Sequence, residues 1–283
     1  MTAGGSIASS DQRLPEGGWH WHGGSGAVIW QLMFADAGLV MGLKRFPEQR
    51  RASLFCLASE SGRAVCDDFV LNGGGEANAP VGEGWMIGLE TTSGNLLYCH
   101  GFQPGGPEHQ GLWAVDLAAG RVAWSHPDLA FAANLGDAFL AYKSRVFAGF
   151  PERDYYLIDS LTGRETEHIG TEPERFNALR GRAAGEEQRQ GVLLPDAGMD
   201  ESGHVETIEC GVFTIKALHR LVGAGGTESS WQSVLAVSAG DRLLFEDTMG
   251  QPGAAPLFNN FLVKDRRLYY IKEREVLKSV AVL

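Results

Sequence analysis

The sequence predicts an all-β chain assembled from repeated short antiparallel sheets. Three observations carry that expectation. First, 38 of 283 residues are glycine, about twice the usual share of ~7%. With 44% hydrophobic and 21% charged residues, the composition is otherwise globular, so the excess marks turns rather than disorder. The glycines have no three-residue period, which excludes collagen. Second, three segments align on one shared glycine. Third, the two ends of the chain read as complementary halves of one missing hairpin.

The aligned segments are LFCLASESGRAVC (54–66), LWAVDLAAGRVAW (112–124) and YYLIDSLTGR (155–164). Each is an apolar strand, a four-residue turn, Gly-Arg and, in the first two, a second strand. An Asp closing the first strand accepts from backbone N–H groups two residues on. Asp116 and Asp159 fit that role and Ala58 does not. Gly62, Gly120 and Gly163 supply the left-handed backbone before the chain re-enters the sheet. Pairing Asp116 with Arg121 places Trp113 opposite Trp124, an aromatic cross-strand pair worth ~0.2–1 kcal/mol. The same register sets Phe55 opposite Cys66, which puts Cys56 and Cys66 on opposite faces and argues against a disulfide between them.

Weaker copies follow. Ser233 to Val237 turns through Gly240 into Arg242 to Phe245. Leu268 to Ile271 turns at Glu273-Arg274 into Val276-Leu277, and Met86 to Glu90 turns through Ser93-Gly94 into Leu96 to Tyr98. At the N-terminus, Gly26 to Trp30 repeats the Gly-to-Trp spacing of 120–124 with no inner strand before it. At the C-terminus, Val276 to Leu283 is a strand with nothing after it. The expectation is a closed ring in which the N-terminal strand, near Ala27 to Leu32, joins the last sheet, since closure removes exposed edges. Residues 1–25 are then an N-terminal arm and residues 26–283 a single domain.

These repeats resemble those of PQQ-type quinoprotein β-propellers, whose consensus is an aromatic-hydrophobic strand, Asp, a turn ending Thr-Gly-Lys or Thr-Gly-Arg, and an aliphatic strand ending in Trp. LWAVDLAAGRVAW and YYLIDSLTGRE (155–165) carry the likeness. The layout is also similar to an uncharacterised bacterial family of propeller-like proteins, a domain of unknown function, through WMIGLE (85–90), PEHQGLWAVDLAAGRVAW (107–124) and RLYYIKE (267–273). The resemblance implies a β-propeller. Five blades fit the spacing of the turn glycines. Six or seven is the alternative, because 77 residues separate Gly163 from Gly240. PQQ binding is not carried over, since the vicinal Cys–Cys pair of quinoprotein dehydrogenases is missing here. The Gly-His and Trp-Asp signature of WD40-like blades is missing as well.

The long interval holds a polar, charge-rich stretch, about 171–203. It is expected to be an exposed insertion, helical around Glu172 to Gln190 and without strand alternation. A lid or docking loop is the functional alternative to an ornamental insertion.

Charge narrows the function classes. A formal net charge of −11 argues against nucleic acid and anionic membranes as partners. MTAGGSIASS has no signal-peptide character, and no apolar run is long enough to span a membrane. The expected location is cytoplasmic, with the four cysteines reduced. Without a CxxC pair, a zinc ribbon or thioredoxin-like motif is not supported.

Two constellations remain. In the tract Trp19-His20-Trp21-His22, alternation sends both imidazoles to one side and both indoles to the other. With no third ligand identifiable, the expected role is an arm whose tryptophans pack onto the domain. His100, Glu108 and His109 bracket the loop 101–110, which joins two strands of one blade. Imidazole and carboxylate groups there can bind a ligand or transfer protons. No catalytic residue, cofactor or metal is assigned from sequence. The leading expectation is a non-catalytic binding or scaffold propeller whose partner is another protein. The alternative is an enzyme of hydrolase or lyase type with its site on the channel face.

Overall fold

The computed structural model describes residues 17–73, 79–103, 105–189, 191–200, 203–223 and 229–282. The chain is all-β apart from one long helix and two 3-10 turns among these residues. It begins with β1 (Trp19–His22). The first four-stranded sheet pairs β2 (Val28–Ala35), β3 (Leu39–Phe46), β4 (Arg51–Ala58) and β5 (Ala64–Phe69) in that order. The second pairs β6 (Ile87–Ser93), β7 (Leu96–Phe102), β8 (His109–Asp116) and β9 (Arg121–His126). The third pairs β10 (Ala130–Asn134), β11 (Ala138–Phe147), β12 (Phe150–Asp159) and β13 (Glu165–Gly170). After α1 (Pro173–Arg189) and β14 (Val192–Leu193), a five-stranded sheet runs β15 (Asp196–Asp200), β16 (Gly203–Cys210), β17 (Phe213–Val222), β18 (Ser230–Ala239) and β19 (Arg242–Thr248). The last sheet uses β20 (Phe261–Lys264), β21 (Arg267–Lys272) and β22 (Val276–Ala281), in the order β1-β22-β21-β20-β14.

The N-terminal strand that pairs with β22 is therefore β1, not the segment near Ala27 to Leu32. That segment is β2, which turns back on itself: Ala35 pairs with Leu39, and Gly38 takes the left-handed backbone (φ +67) that the tight return needs. The local hairpin places β2 in the first sheet, and Ile29 N–H donates to Arg274 O at 2.8 Å.

The repeated turn is present, with one residue more than the expected register allows. Asp116 does pair with Arg121. Its carboxylate accepts from Ala119 N–H at 2.9 Å, and Asp159 likewise accepts from Thr162 N–H at 2.8 Å. Beyond the turn, however, Ala123 is an extra residue, so Ala114 rather than Trp113 lies opposite Trp124. Val65 is the same bulge between β4 and β5. It brings Cys56 directly opposite Cys66, which overturns the expectation that the two thiols occupy opposite faces. Thr166 and Leu244 are the corresponding extra residues in the β12–β13 and β18–β19 hairpins. Four sheets thus share a bulge three or four residues past the turn glycine.

Contacts divide the chain into two compact units. Of the described residues, one holds those up to His20, those from Val192 to Glu273 and those from Lys278 on, and the other those from Trp21 to Gly191 and from Arg274 to Leu277. In the first, Ile215, Leu235, Phe261, Leu268 and Tyr270 form the buried core. Asp247 is anchored there by Tyr270 Oη at 2.7 Å and by Lys272 and Lys278, each at 2.8 Å. In the second unit, Met41, Leu54, Cys56, Leu97, Cys99 and Val115 fill the space between the first two sheets. The polar stretch beyond residue 171 is helical where expected, and α1 is docked rather than free. Phe176, Leu179 and Ala183 lie at helical spacing and pack against the third sheet, with Phe176 stacked on Tyr155 at 4.2 Å. The rest of that stretch supplies β14 and β15, so strand does follow the helix.

Candidate functional site

His100 and His109 come together in the second sheet. Gly88 on β6 pairs with His100 on β7, and Phe102 pairs with His109 at the start of β8. Side chains alternate along a strand, so Gly88, His100, Phe102 and His109 share one face. The loop expected over 101–110 is shorter, because Gly101, Phe102, His109 and Gln110 lie on strands, and both imidazoles sit on strands too.

Two bulges aim this face. Between the pairs Leu89–Cys99 and Thr91–Tyr98, Glu90 is an extra residue on β6. Between Cys99–Trp113 and Gly101–Gln110, two residues of β8 oppose the single His100. Gly111, one of the two, has φ +81, and a Cβ on it would run into the Trp113 indole. The result is a carboxylate between two imidazoles. His109 Nδ1–H donates to Glu90 Oε1 at 2.7 Å. His100 Nδ1 lies 2.8 Å from the same oxygen. The two rings stack at 3.5 Å with 11° between their planes. Phe102 meets both edge-on, at 4.8 and 5.4 Å.

The histidines differ in access. His100 is 3% exposed, whereas the His109 side chain is 40% exposed. Although close to Glu90, His100 Nδ1 is not aligned for a hydrogen bond, and neither ring nitrogen has a partner. Leaving a buried polar atom so costs ~1–3 kcal/mol. The ring is accommodated because residue 88 is glycine: a Cβ there would stand 2.6 Å from both Cε1 and Nε2 of His100.

Glu108 is not part of the cluster. It is exposed, and its carbonyl accepts from Gln103 N–H at 2.8 Å. The carboxylate that meets the imidazoles is Glu90, which sequence reasoning missed. Its one signal is a charged residue directly after the apolar run Met86 to Leu89.

The Glu90 position recurs. Trp30 and Ala132 are the matching extra residues on β2 and β10, and Arg45 and Tyr142 stand where His100 stands. The Arg45 guanidinium lies 4.7 Å from the Trp30 ring and 5.2 Å from Trp85, a cation–π arrangement. Its Nη2 donates to Ile87 O at 3.1 Å. Burial pulls the Arg45 pKa below its ordinary value. Burial likewise pushes the Tyr142 phenol up; Arg153 opposes this, and the charges of Glu108 and Glu90 add to it.

A cavity of about 810 Å³ is walled by Val81, Met86, Phe102, Pro107, Trp113 and Pro127 among others. It adjoins the cluster through Phe102. Trp113 Nε1 is buried without a hydrogen-bond partner.

A second His–carboxylate constellation lies in the other unit. Ser233 Oγ–H donates to His219 Nδ1 at 2.8 Å, and His219 Nε2–H donates to Glu206 Oε2 at 3.1 Å. The order Ser–His–Glu is that of a hydrolytic relay. Here every member is closed off: the three are 3%, 0% and 2% exposed. The backbone N–H groups of Leu257 and Asn259 donate to Ser233 Oγ and to the Glu206 carboxylate. All polar atoms are used, which makes it a structural clamp between β16, β17 and β18. It was not legible in sequence, because its members are scattered over ordinary strands.

The Trp-His tract forms β1. Trp19 meets Tyr269 at 6.0 Å and Trp21 meets Phe55 at 4.5 Å, so both indoles pack. His22 Nε2 lies 3.3 Å from Glu275 Oε2, and His20 is exposed.

Compared with the known protein families and with the curated proteins, the chain matches none. No helix among the described residues is long and apolar enough to cross a membrane.

Proposed function

We propose that the chain is a β-propeller-type scaffold, each sheet serving as one blade, that binds another protein through the tip of the β11–β12 hairpin. The observation that carries this reading is the overhang of that hairpin. β11 and β12 have ten residues each, but β10 reaches only as far as Tyr142 and β13 only as far as Tyr155. Residues 143–154 therefore form a two-stranded ladder with no neighbouring strand. Such a ribbon is marginal on its own. Its tip is apolar: Val146, Phe147 and Phe150 are 75%, 69% and 75% exposed. Ala148 and Gly149 both have positive φ, 50° and 84°, which makes the tight turn that presents the two phenylalanines. A cluster of exposed large apolar side chains on a soluble surface marks an interaction site. The sheet repeat and the shared bulges support the blade reading, as does the likeness of 112–124 and 155–165 to quinoprotein-type propeller repeats.

The test places a photo-crosslinking residue at Phe147 in the full chain, in an extract of the source cells. The expected result is one defined protein adduct, absent from a control probe at exposed Glu60 and lost when Phe150 and Val146 are replaced by Glu. Adducts only to lipid, or identical adducts from both probes, would sink the reading.

One observation favours a second reading, an enzyme of hydrolase or lyase type. The partly exposed His109 paired with Glu90 can exchange a proton, and the neighbouring cavity has room for a small substrate. Turnover of an ester or phosphoester panel that disappears in His109→Ala would support it; no turnover by the wild-type chain would remove it.

A further inference from the structure

The geometry points to a metal site: we propose that Glu90, His100 and His109 together bind one divalent transition-metal ion of the Zn²⁺ class. This does not depend on either reading above.

The donors are in place. Glu90, His100 and His109 each offer one ligand atom, and these lie within 4.8 Å of one another. Metal–ligand bonds of about 2.0–2.2 Å put tetrahedral donors roughly 3.4 Å apart. Glu90 Oε1 now stands 2.8 and 2.7 Å from the two Nδ1 atoms, so an ion needs the group to open by about half an ångström on each side. His109, which begins a strand and is partly exposed, and a turn of the Glu90 carboxylate together supply that movement. His100 stays fixed.

Three features favour an ion over a hydrogen-bonded cluster. The first is the buried His100 ring, which has no hydrogen-bond partner at either nitrogen. Glu90 Oε1 stands 2.8 Å from His100 Nδ1 but out of line for a hydrogen bond. A metal bound at His100 Nδ1 would use the lone pair of a nitrogen that makes no hydrogen bond. The second is Gly88, which lies against Nε2 and Cε1 and leaves Nδ1 facing the other two donors. The third is the donor set. Two imidazoles and one carboxylate suit zinc and its neighbours in the first transition row, rather than Mg²⁺ or Ca²⁺, which take oxygen ligands. Exposure of His109 leaves the fourth position open to water or a ligand.

The experiment uses the full chain without a polyhistidine tag, stripped with a chelator and titrated with Co²⁺, followed by visible absorption. Zn²⁺ competition and elemental analysis give the stoichiometry. One ion per chain is expected, with the ligand-field bands of a four-coordinate site and no competition from Mg²⁺. Changing even an outer partner of a ligand costs about 10–100-fold in affinity, so His109→Ala and Glu90→Gln should each weaken binding by more than about tenfold. Partly exposed His109 makes the first variant the one that keeps its fold, checked by its melting curve. Absence of Co²⁺ bands in the wild type overturns the proposal. So does unchanged affinity in His109→Ala, which would assign the ion to other groups such as His20 and His22.

Discussion

Gly120 and Gly163 hold the same place in two copies of one hairpin, and their surroundings differ in a way that can be measured. Both have left-handed backbone, φ +64 and +71. A Cβ at Gly120 meets nothing within 4 Å. At Gly163 it would stand 2.5, 2.6 and 2.8 Å from Cδ2, Cγ and Cε3 of Trp124. That indole cannot swing aside freely. Its Nε1–H donates to Leu161 O at 3.1 Å, and His126 Nε2–H donates to Gly163 O at 2.6 Å. Alanine in left-handed backbone costs roughly 1–2 kcal/mol. The lower entropy of the unfolded alanine chain offsets ~0.4–1 kcal/mol of this, equally at both positions. Forcing a methyl into a filled site adds about 1–3 kcal/mol, and only Gly163 incurs that cost. Gly163→Ala should therefore be less stable than Gly120→Ala by about 1–3 kcal/mol. In urea, with a slope near 3 kcal/mol/M, the midpoints should differ by about 0.3–1 M. Equal midpoints, or a larger loss from Gly120→Ala, would refute the steric assignment of Trp124.

Other consequences can be read from charge and burial. Burial opposes ionisation of Asp247, but Lys272, Lys278 and Tyr270 outweigh it and hold its pKa below the ordinary value. A depressed folded pKa stabilises fully above the unfolded carboxylate's pKa and is lost as pH falls through the folded one. Asp247→Asn should cost roughly 3–5 kcal/mol at neutral pH and flatten the acid limb of stability against pH; an acid limb identical to wild type would exclude Asp247 as its source. Burial, with the charge of Cys66 adding to it, pushes the Cys56 thiol up to about 11, and burial also raises Cys66. Since the thiolate is the reactive form, iodoacetamide at pH 8 should label both far more slowly in the folded chain than in urea. Rapid labelling of Cys56 in the folded chain would contradict its burial.

What was legible in the sequence was whatever leaves a mark in composition. Asp116, Gly120 and Arg121 announce their turn, because an Asx bond and a left-handed glycine need those residue types. The bulges leave no such mark. Val65, Ala123 and Thr166 are ordinary strand residues, so a register without the bulge is off by one and sets Trp113, Cys56 and Phe55 against the wrong partners. The site was half visible for the same reason. His100 and His109 stand out as histidines near a loop, and Glu108 is the carboxylate that sequence adjacency puts beside them. Glu90 lies ten residues before His100, and only the bulge on β6 aims it at them. The hairpin tip went unnoticed because Val146, Phe147 and Phe150 look like core residues until β10 and β13 are seen to stop short of them.

The bulge on the opening strand of the first three sheets has a further consequence. It holds one side chain out of the hydrogen-bonded ladder and sets it beside one residue of the next strand: Trp30 with Arg45, Glu90 with His100, Ala132 with Tyr142. The side chains at the two positions differ from copy to copy while the bulge stays. A chain that duplicates such a unit inherits a blank chemical address each time. Here one copy carries an indole and a guanidinium, another a carboxylate and an imidazole, and a third a methyl and a phenol, and the imidazole also needs glycine at position 88 opposite it.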